Sequence, residues 1–346
     1  MKTCYLHLGF HKTATTSFQL SCGNNRDKLL EAGIYYPKFK FSDRKGNRWN
    51  HSGNIRRFCK LGGIDKIANN NNNKEKNIFL TNIAEYKKIL RQDDNLLLSG
   101  EGISCMTRSE IEILKQDLLM HGFKIRAFGL VRSPYSFACS AIQQTIKGGK
   151  YHSLIGLGNV FSSHITQNIE SVLPERCEQI ELLLDIFDDS LELFTFQDAL
   201  KYPNGLISFL FNHIKPSLAE ILNDDLKNSD QSLTNIQARL INATNRIIRS
   251  KLIGKNKINK RLLGEEMTII REQTKELSGE KFLLTQEEFS TVEVQYNKTI
   301  QRTKAALGPS FIEENVNFSG TDVDPNYLIK VFTECVAMLS TEKLRH

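Results

Sequence analysis

Cysteine is scarce in this chain and never clustered: seven thiols, an odd number, stand at positions 4, 22, 59, 105, 139, 177 and 335. No CxxC pair and no His/Cys grouping has metal-ligand spacing, which argues against a disulfide framework and against a zinc site. Reduced thiols in a cytoplasmic setting are therefore expected, with no metal. The first residues lack the apolar h-region of a signal peptide, and no apolar run approaches the roughly 20 residues that cross a bilayer. No integral membrane segment is expected. Charge of one sign is lacking too. Lysine and arginine number 46 against 39 acidic residues, a net +7 with pI near 8.9, and the basic residues run throughout. That balance suits an anionic ligand and does not require nucleic acid as a partner.

What is present is an ordinary globular composition, 346 residues of which 40% are hydrophobic and 25% charged. This is enough to bury one large domain, or one domain with a helical annex. No internal repeat is visible. The run Asn69 to Asn73, followed by Lys74 and Lys76, is polar and of low complexity and reads as a solvated insertion.

The stretch with the most chemistry is Leu6-His7-Leu8-Gly9-Phe10-His11-Lys12-Thr13-Ala14-Thr15-Thr16-Ser17-Phe18-Gln19. Cys4 to Leu8 reads as a short strand, Gly9 breaks it, and a helix is expected from about Thr15. Helix N-termini present unpaired N–H groups and a favourable dipole to anions. Lys12 adds a full positive charge, and Thr13, Thr15, Thr16 and Ser17 add short donors. The pattern is phosphate-binding chemistry. It departs from the nucleoside-triphosphate loop G-x-x-x-x-G-K-[ST], because His11 precedes Lys12 and only Gly9 serves the turn.

Further along, helices are expected over Asn25 to Ala32, closed by Gly33, over Leu80 to Leu90, and from a Thr107/Glu110 capping box to His121. Asn95 to Ser99 and Ile125 to Val131 are continuous apolar runs of the kind found in buried parallel strands. Ser133 as N-cap with Pro134 at the first helical position opens a helix to about Lys147, stopped by Gly148 and Gly149. Ile180 to Phe187 reads as helix, Leu191 to Phe196 as strand and Gly205 to Ile214 as helix, after which the chain looks all-helical. Strands alternating with helices predict an α/β fold with a central, mostly parallel sheet and helices on both faces. The expected division is a core over residues 1–215 and a helical C-terminal region over 216–346.

A second motif runs Leu130-Val131-Arg132-Ser133-Pro134-Tyr135-Ser136-Phe137-Ala138-Cys139-Ser140. Arg132 is expected at the carboxyl end of a buried strand, where open α/β sheets bind ligands. Ser140 follows two helical turns on, about 10 Å along the axis. A guanidinium and a hydroxyl so spaced can meet at one phosphate. The structural alternative is a capped helix with Arg132 in an ion pair.

The form G-x-x-K-T-x-T-T-S resembles the 5′-phosphosulfate loop of sulfotransferases that use 3′-phosphoadenosine 5′-phosphosulfate (PAPS) as donor. R-x-P-x-x-x-x-x-S from Arg132 to Ser140 resembles their 3′-phosphate motif. N-R-x-x-L-x-x-x-G-I-x-Y-P from Asn25 to Pro37 is similar to the segment after that loop in a bacterial group of the family. Asn228-x-x-x-Ser232-Leu233, followed by a helix with Asn245, resembles a signature of that group, with inserted residues. Gln143 to Tyr151, with Lys147 and Lys150, resembles a segment carrying basic residues toward the nucleotide. The resemblance covers roughly residues 3 to 250. It implies a P-loop-type three-layer fold and sulfuryl transfer to an acceptor hydroxyl, on a glycan or glycolipid, without a metal. It implies further that Lys12 neutralises charge on the bridging oxygen, that His11 and Thr13 to Ser17 cradle the 5′-phosphate, and that Arg132 and Ser140 hold the 3′-phosphate.

The acceptor must lose a proton, and a general base contributes about 10²–10⁴-fold. Glu101, between Gly100 and Gly102 just past a buried strand, is placed to do this, and the glycan and tyrosine sulfotransferases that the chain resembles use a glutamate as base. His51 is the rival, since many cytosolic small-molecule members use histidine; Glu101 as a plain loop or capping residue is the third alternative. The basic stretch from Arg249 to Arg261 reads as a solvated helix face or as a dock for an anion. A magnesium-dependent kinase and a nucleotide- or polyanion-binding module without catalysis are the rival functions.

Overall fold

The computed structural model of the chain describes residues 1–39, 49–60, 62, 76–156, 177–221, 232–253, 274–275, 277–309, 311 and 315–319. The low-complexity run at 69–73, most of the basic stretch at 249–261 and the tail after 319 lie outside them. The chain forms two compact units that interleave in sequence. The first comprises Met1–Ser133, Arg176–Ser229 and Arg302–Glu313, and the second Pro134–Glu175, Asp230–Gln301 and Glu314–His346. This interleaving replaces the single division after residue 215 expected from the sequence.

In the first unit, β1 (Lys2–Leu8) is followed by α1 (Thr15–Asn24), α2 (Arg26–Glu31), β2 (Ile34–Tyr35), α3 (Ser52–Lys60) and α4 (Lys76–Leu90). Then come β3 (Asn95–Gly100), α5 (Arg108–Met120) and β4 (Phe123–Val131). Helix α6 (Pro134–Lys147) belongs to the second unit. The first unit resumes with α7 (Cys177–Phe187), β5 (Leu191–Thr195), α8 (Phe196–Lys201), α9 (Gly205–Ile214) and α10 (Pro216–Ile221).

The five strands form one sheet in the order β2-β3-β1-β4-β5, and every pairing is parallel. β1 sits in the middle, with Leu8 opposite Gly100 on one side and His7 opposite Phe128 on the other. Alternation along the strands sends side chains to two cores. Cys4, Leu6 and Leu8 of β1, with Leu96 and Leu98 of β3, pack against α3, α4, α5 and α7 through Phe58, Tyr86, Leu114 and Leu183. Leu97 of β3 with Phe128 and Leu130 of β4 packs on the other face against Phe18 and Cys22 of α1 and Leu210 and Phe211 of α9. Burial on both faces is why these strands read as unbroken apolar runs.

The two neighbours β1 and β3 therefore lead to helices on opposite faces, α1 on one and α5 on the other. Adjacent strands whose connections part in this way leave a crevice at their carboxyl ends, where ligands bind in open α/β sheets. The loops after β1 and β3 carry Lys12 and Glu101.

Local signals match the elements they predicted. Thr107 caps α5 in a capping box with Glu110. Gly33 takes a left-handed φ of 79° after α2, and α9 spans Gly205–Ile214 as read from the sequence. Helix α1 begins at Thr15, as expected, and runs to Asn24.

In the second unit, α6 is accompanied by α11 (Asn235–Ile253), α12 (Gln286–Ser290) and the greater part of α13 (Glu293–Leu307). A buried Arg239–Glu288 ion pair with 2.6 Å between Nη1 and Oε1 lies at its core. The same guanidinium donates to the carbonyl of Gly156. The only extended pairing among its described residues is an isolated antiparallel bridge, Thr234 to Lys281, so the expectation of no further sheet strands after residue 215 holds there. No helix among the described residues is long and apolar enough to cross a membrane.

Candidate functional site

The loop from Gly9 to Ala14 turns sharply between β1 and α1, and two of its residues take the left-handed conformation without being glycine: Lys12 at φ 65° and Ala14 at φ 58°. Each such residue stores about 1–3 kcal/mol of strain, which persists only where the surroundings enforce it. Here they do. The Thr13 hydroxyl donates to the Phe10 carbonyl at 2.6 Å, and the Thr15 hydroxyl reaches the same oxygen at 3.3 Å. Both threonines are buried. Their hydroxyls brace the turn from within through the Phe10 carbonyl, rather than standing as the anion donors expected from the sequence. Thr16 is exposed and Ser17 half-buried at the helix start. A left-handed residue stands on each side of Thr13, and alternating backbone of this kind can gather N–H groups into a concavity suited to an anion. The amino end of α1 adds its dipole.

Arg132 follows β4 immediately and turns to this loop. Its Nη1 donates to the carbonyl of Lys12 at 3.1 Å, and its guanidinium lies 4.8 Å from the ring centre of Phe196, the first residue of α8. Arginine thus holds the strained residue by its carbonyl while its guanidinium lies over an aromatic ring. Phe196 was invisible as a site residue in the sequence, since one phenylalanine among 20 carries no signal.

Glu101 follows β3 and meets His11. The distance from His11 Nδ1 to Glu101 Oε1 is 2.9 Å, and the side chains are 42% and 36% exposed. The two loops are stitched together by backbone: the Gly9 N–H donates to the Gly100 carbonyl at 3.1 Å, and the Ser104 hydroxyl donates to the Gly9 carbonyl at 3.1 Å. Gly9 has no space for a side chain, since a Cβ there would lie 2.9 Å from both the Glu101 Cα and the Gly100 oxygen.

His51 occupies a different kind of place. It is fully buried. Its Nδ1 accepts from the Ser99 N–H at 3.1 Å, and its Nε2 lies 2.9 Å from the Pro37 carbonyl. This assigns the hydrogen to Nε2 and occupies both nitrogens. Burial pushes its pKa down to about 4, so the ring is neutral and structural. The neighbouring Ser52 accepts from the Gly102 N–H at 2.7 Å. The Trp49-Asn50-His51-Ser52 segment therefore braces β3 and the loop that carries Glu101. Ser52 and Ser104 have no sequence signal of this role, which depends on contacts 50 and 95 residues away.

Ser140 lies half-buried on α6, in the second unit. There the segment after α6 is held by two asparagines of α11. Asn245 Nδ2 donates to the carbonyls of Ile146 and Lys150 at 2.9 and 2.8 Å. Asn242 accepts from the His152 N–H at 2.8 Å and donates to the His152 and Ile155 carbonyls. Ser232 is exposed. Among the described residues, no group of three His, Cys, Asp or Glu side chains is placed to hold a metal ion.

No family model, curated protein or solved structure matches the chain.

Proposed function

We propose that this chain is a sulfotransferase on a P-loop-type fold, moving a sulfuryl group from PAPS to an acceptor hydroxyl on a carbohydrate. The observation that carries the reading is the strained loop from Gly9 to Ala14. It follows the middle strand of a parallel sheet, has lysine at its left-handed turn, and is clasped by Arg132 of the second motif. Backbone concavity, helix dipole and two cations together suit a ligand with more than one anionic group.

In this reading the loop and the start of α1 receive the 5′-phosphosulfate, with His11, Thr16 and Ser17 at its edge. Lys12 faces the bridging oxygen as it takes up negative charge. Arg132 and Ser140 are assigned to the 3′-phosphate, an assignment that rests on the motif. Sulfuryl transfer, like phosphoryl transfer, is a loose in-line displacement in which positioning and charge stabilisation dominate. Proton uptake from the acceptor falls to the Glu101 side of the crevice, since His51 has both nitrogens engaged in the interior. The carbohydrate acceptor, free or lipid-linked, is inferred from the resemblance to glutamate-dependent members.

Calorimetry tests the donor assignment. 3′-Phosphoadenosine 5′-phosphate (PAP) should bind without magnesium and far more tightly than AMP. Tight binding of ATP only with magnesium would favour a kinase. PAP binding without any sulfate transfer from labelled PAPS to glycans, glycolipids or water would leave a binding module.

A further inference from the structure

We infer that proton uptake in the proposed transfer is carried out by a His11–Glu101 pair, in which Glu101 positions the imidazole and His11 Nε2 receives the proton. The inference rests on the sulfuryl-transfer reading and assigns its base.

The two side chains come from the loops after β1 and β3, the adjacent strands whose chains leave to opposite faces of the sheet. They meet at the crevice where a ligand of such a sheet sits. An ionised carboxylate can only accept, so the 2.9 Å contact between His11 Nδ1 and Glu101 Oε1 requires the hydrogen on Nδ1. In the neutral ring the lone pair is then on Nε2. A carboxylate behind an imidazole selects the tautomer, holds the ring plane and stabilises the imidazolium that forms, the arrangement by which acid–base histidines are oriented elsewhere. His11 also adjoins Lys12 in the chain, which puts the proton acceptor beside the residue assigned to the developing negative charge. Both partners reach solvent at 42% and 36% exposure, whereas His51 is fully buried.

The acceptor oxygen bonds to sulfur as its O–H bond breaks, and the proton goes to His11 Nε2. The bond from sulfur to the bridging oxygen breaks, and its electron pair leaves on the 5′-phosphate of PAP. The products are a sulfate ester, PAP and an imidazolium paired with the Glu101 carboxylate. The imidazolium returns its proton to solvent.

The pair held by Gly9 is testable without knowing the acceptor. In ¹⁵N-labelled wild-type protein with PAP bound, long-range ¹H–¹⁵N spectra should show His11 as the Nδ1–H tautomer, assigned by the signal missing in His11→Gln. Glu101→Ala should release the ring toward the Nε2–H form that free imidazoles favour. Transfer to water, read as PAP released from PAPS, should fall on the order of 10²-fold or more in His11→Gln. PAP affinity should fall by no more than the roughly tenfold that one hydrogen bond at the edge of the 5′-phosphate cradle supplies, well short of the loss in rate. The double variant with Glu101→Gln should be no slower than His11→Gln alone. Wild-type protein that neither binds PAP nor turns over PAPS would sink the sulfuryl-transfer reading, and this inference with it. PAP binding and turnover with His11 in the Nε2–H tautomer, or with His11→Gln as active as wild type, would sink the pair alone. The spectrum of the wild type decides the tautomer even if a variant fails to fold.

Discussion

Substituting Gly9 by alanine probes the junction on which the whole site depends. A Cβ at this position would lie 2.5 Å from Thr15 Cγ2, 2.9 Å from the Glu101 Cα and 2.9 Å from the Gly100 carbonyl oxygen. Two of these three atoms are backbone of the β3 loop, so no rotamer change relieves the clash. The loops after β1 and β3 must separate, and the Gly9 N–H bond to Gly100 lengthens from 3.1 Å. Overpacking of a close-packed site costs about 1–3 kcal/mol, and the hydrogen bond adds about 1 kcal/mol. A destabilisation of about 2–4 kcal/mol is expected, measured as a lower urea midpoint at unchanged slope. Gly33→Ala is the internal comparison, because a Cβ there meets open space but the residue sits at φ 79°. It should cost only about 1–2 kcal/mol, the strain of one left-handed residue. The same Gly9 variant should weaken PAP binding, since the cradle and the His11–Glu101 contact both hang on this junction. A Gly9→Ala protein with a wild-type urea midpoint and wild-type PAP affinity would refute the packing argument.

Other side chains give further expectations. Arg132→Ala should weaken PAP at least tenfold, as loss of a charge-assisted bond worth about 1.5–3 kcal/mol requires; equal PAP and AMP affinity in the wild type would refute the 3′-phosphate assignment. Lys12→Ala should lower PAPS turnover more than it lowers donor binding, because its charge matters most as the bridging oxygen becomes anionic. Chelators should leave the wild-type rate unchanged, and a strict magnesium requirement would favour a kinase instead. Acid should weaken the fold, because burial pushes the pKa of His7 down to about 3 and that of His51 to about 4. In the unfolded chain both rings bind protons near pH 6.5, so stability is lost as pH falls from that value toward the folded values. At about pH 5 the loss is about 2 kcal/mol per ring. Urea midpoints at several pH values, with a folded His7→Phe variant losing half the slope, check the sign and the size.

Much of the first unit was legible because its signals are local or periodic. The apolar runs at Asn95–Ser99 and Ile125–Val131 announce buried strands, and the strands span Asn95–Gly100 and Phe123–Val131. The Thr107 capping box and the helix beginning at Pro134 are short-range patterns that survive any tertiary context. Lys12 and Arg132 could be singled out as a pair of cations near strand ends, and the structure brings the guanidinium to the lysine's own carbonyl. The roles of individual hydroxyls were not legible. Thr13 and Thr15 look like anion donors in sequence, yet both turn inward to Phe10, because a left-handed Lys12 and Ala14 reverse the direction of the loop.

Residue types, spacing and the approximate extent of most elements in the first unit were thus legible along the chain itself, since capping, turn chemistry and two-fold alternation act over a few residues. The contact between His11 and Glu101 spans 90 positions, and the brace of Ser99 by His51 spans 48. Those separations close only because β1 and β3 lie side by side in one parallel sheet while their following helices pack on opposite faces. Strand order is a property of how the two cores divide the apolar residues. No local pattern encodes it, and the tertiary structure alone decided which carboxylate faces which imidazole.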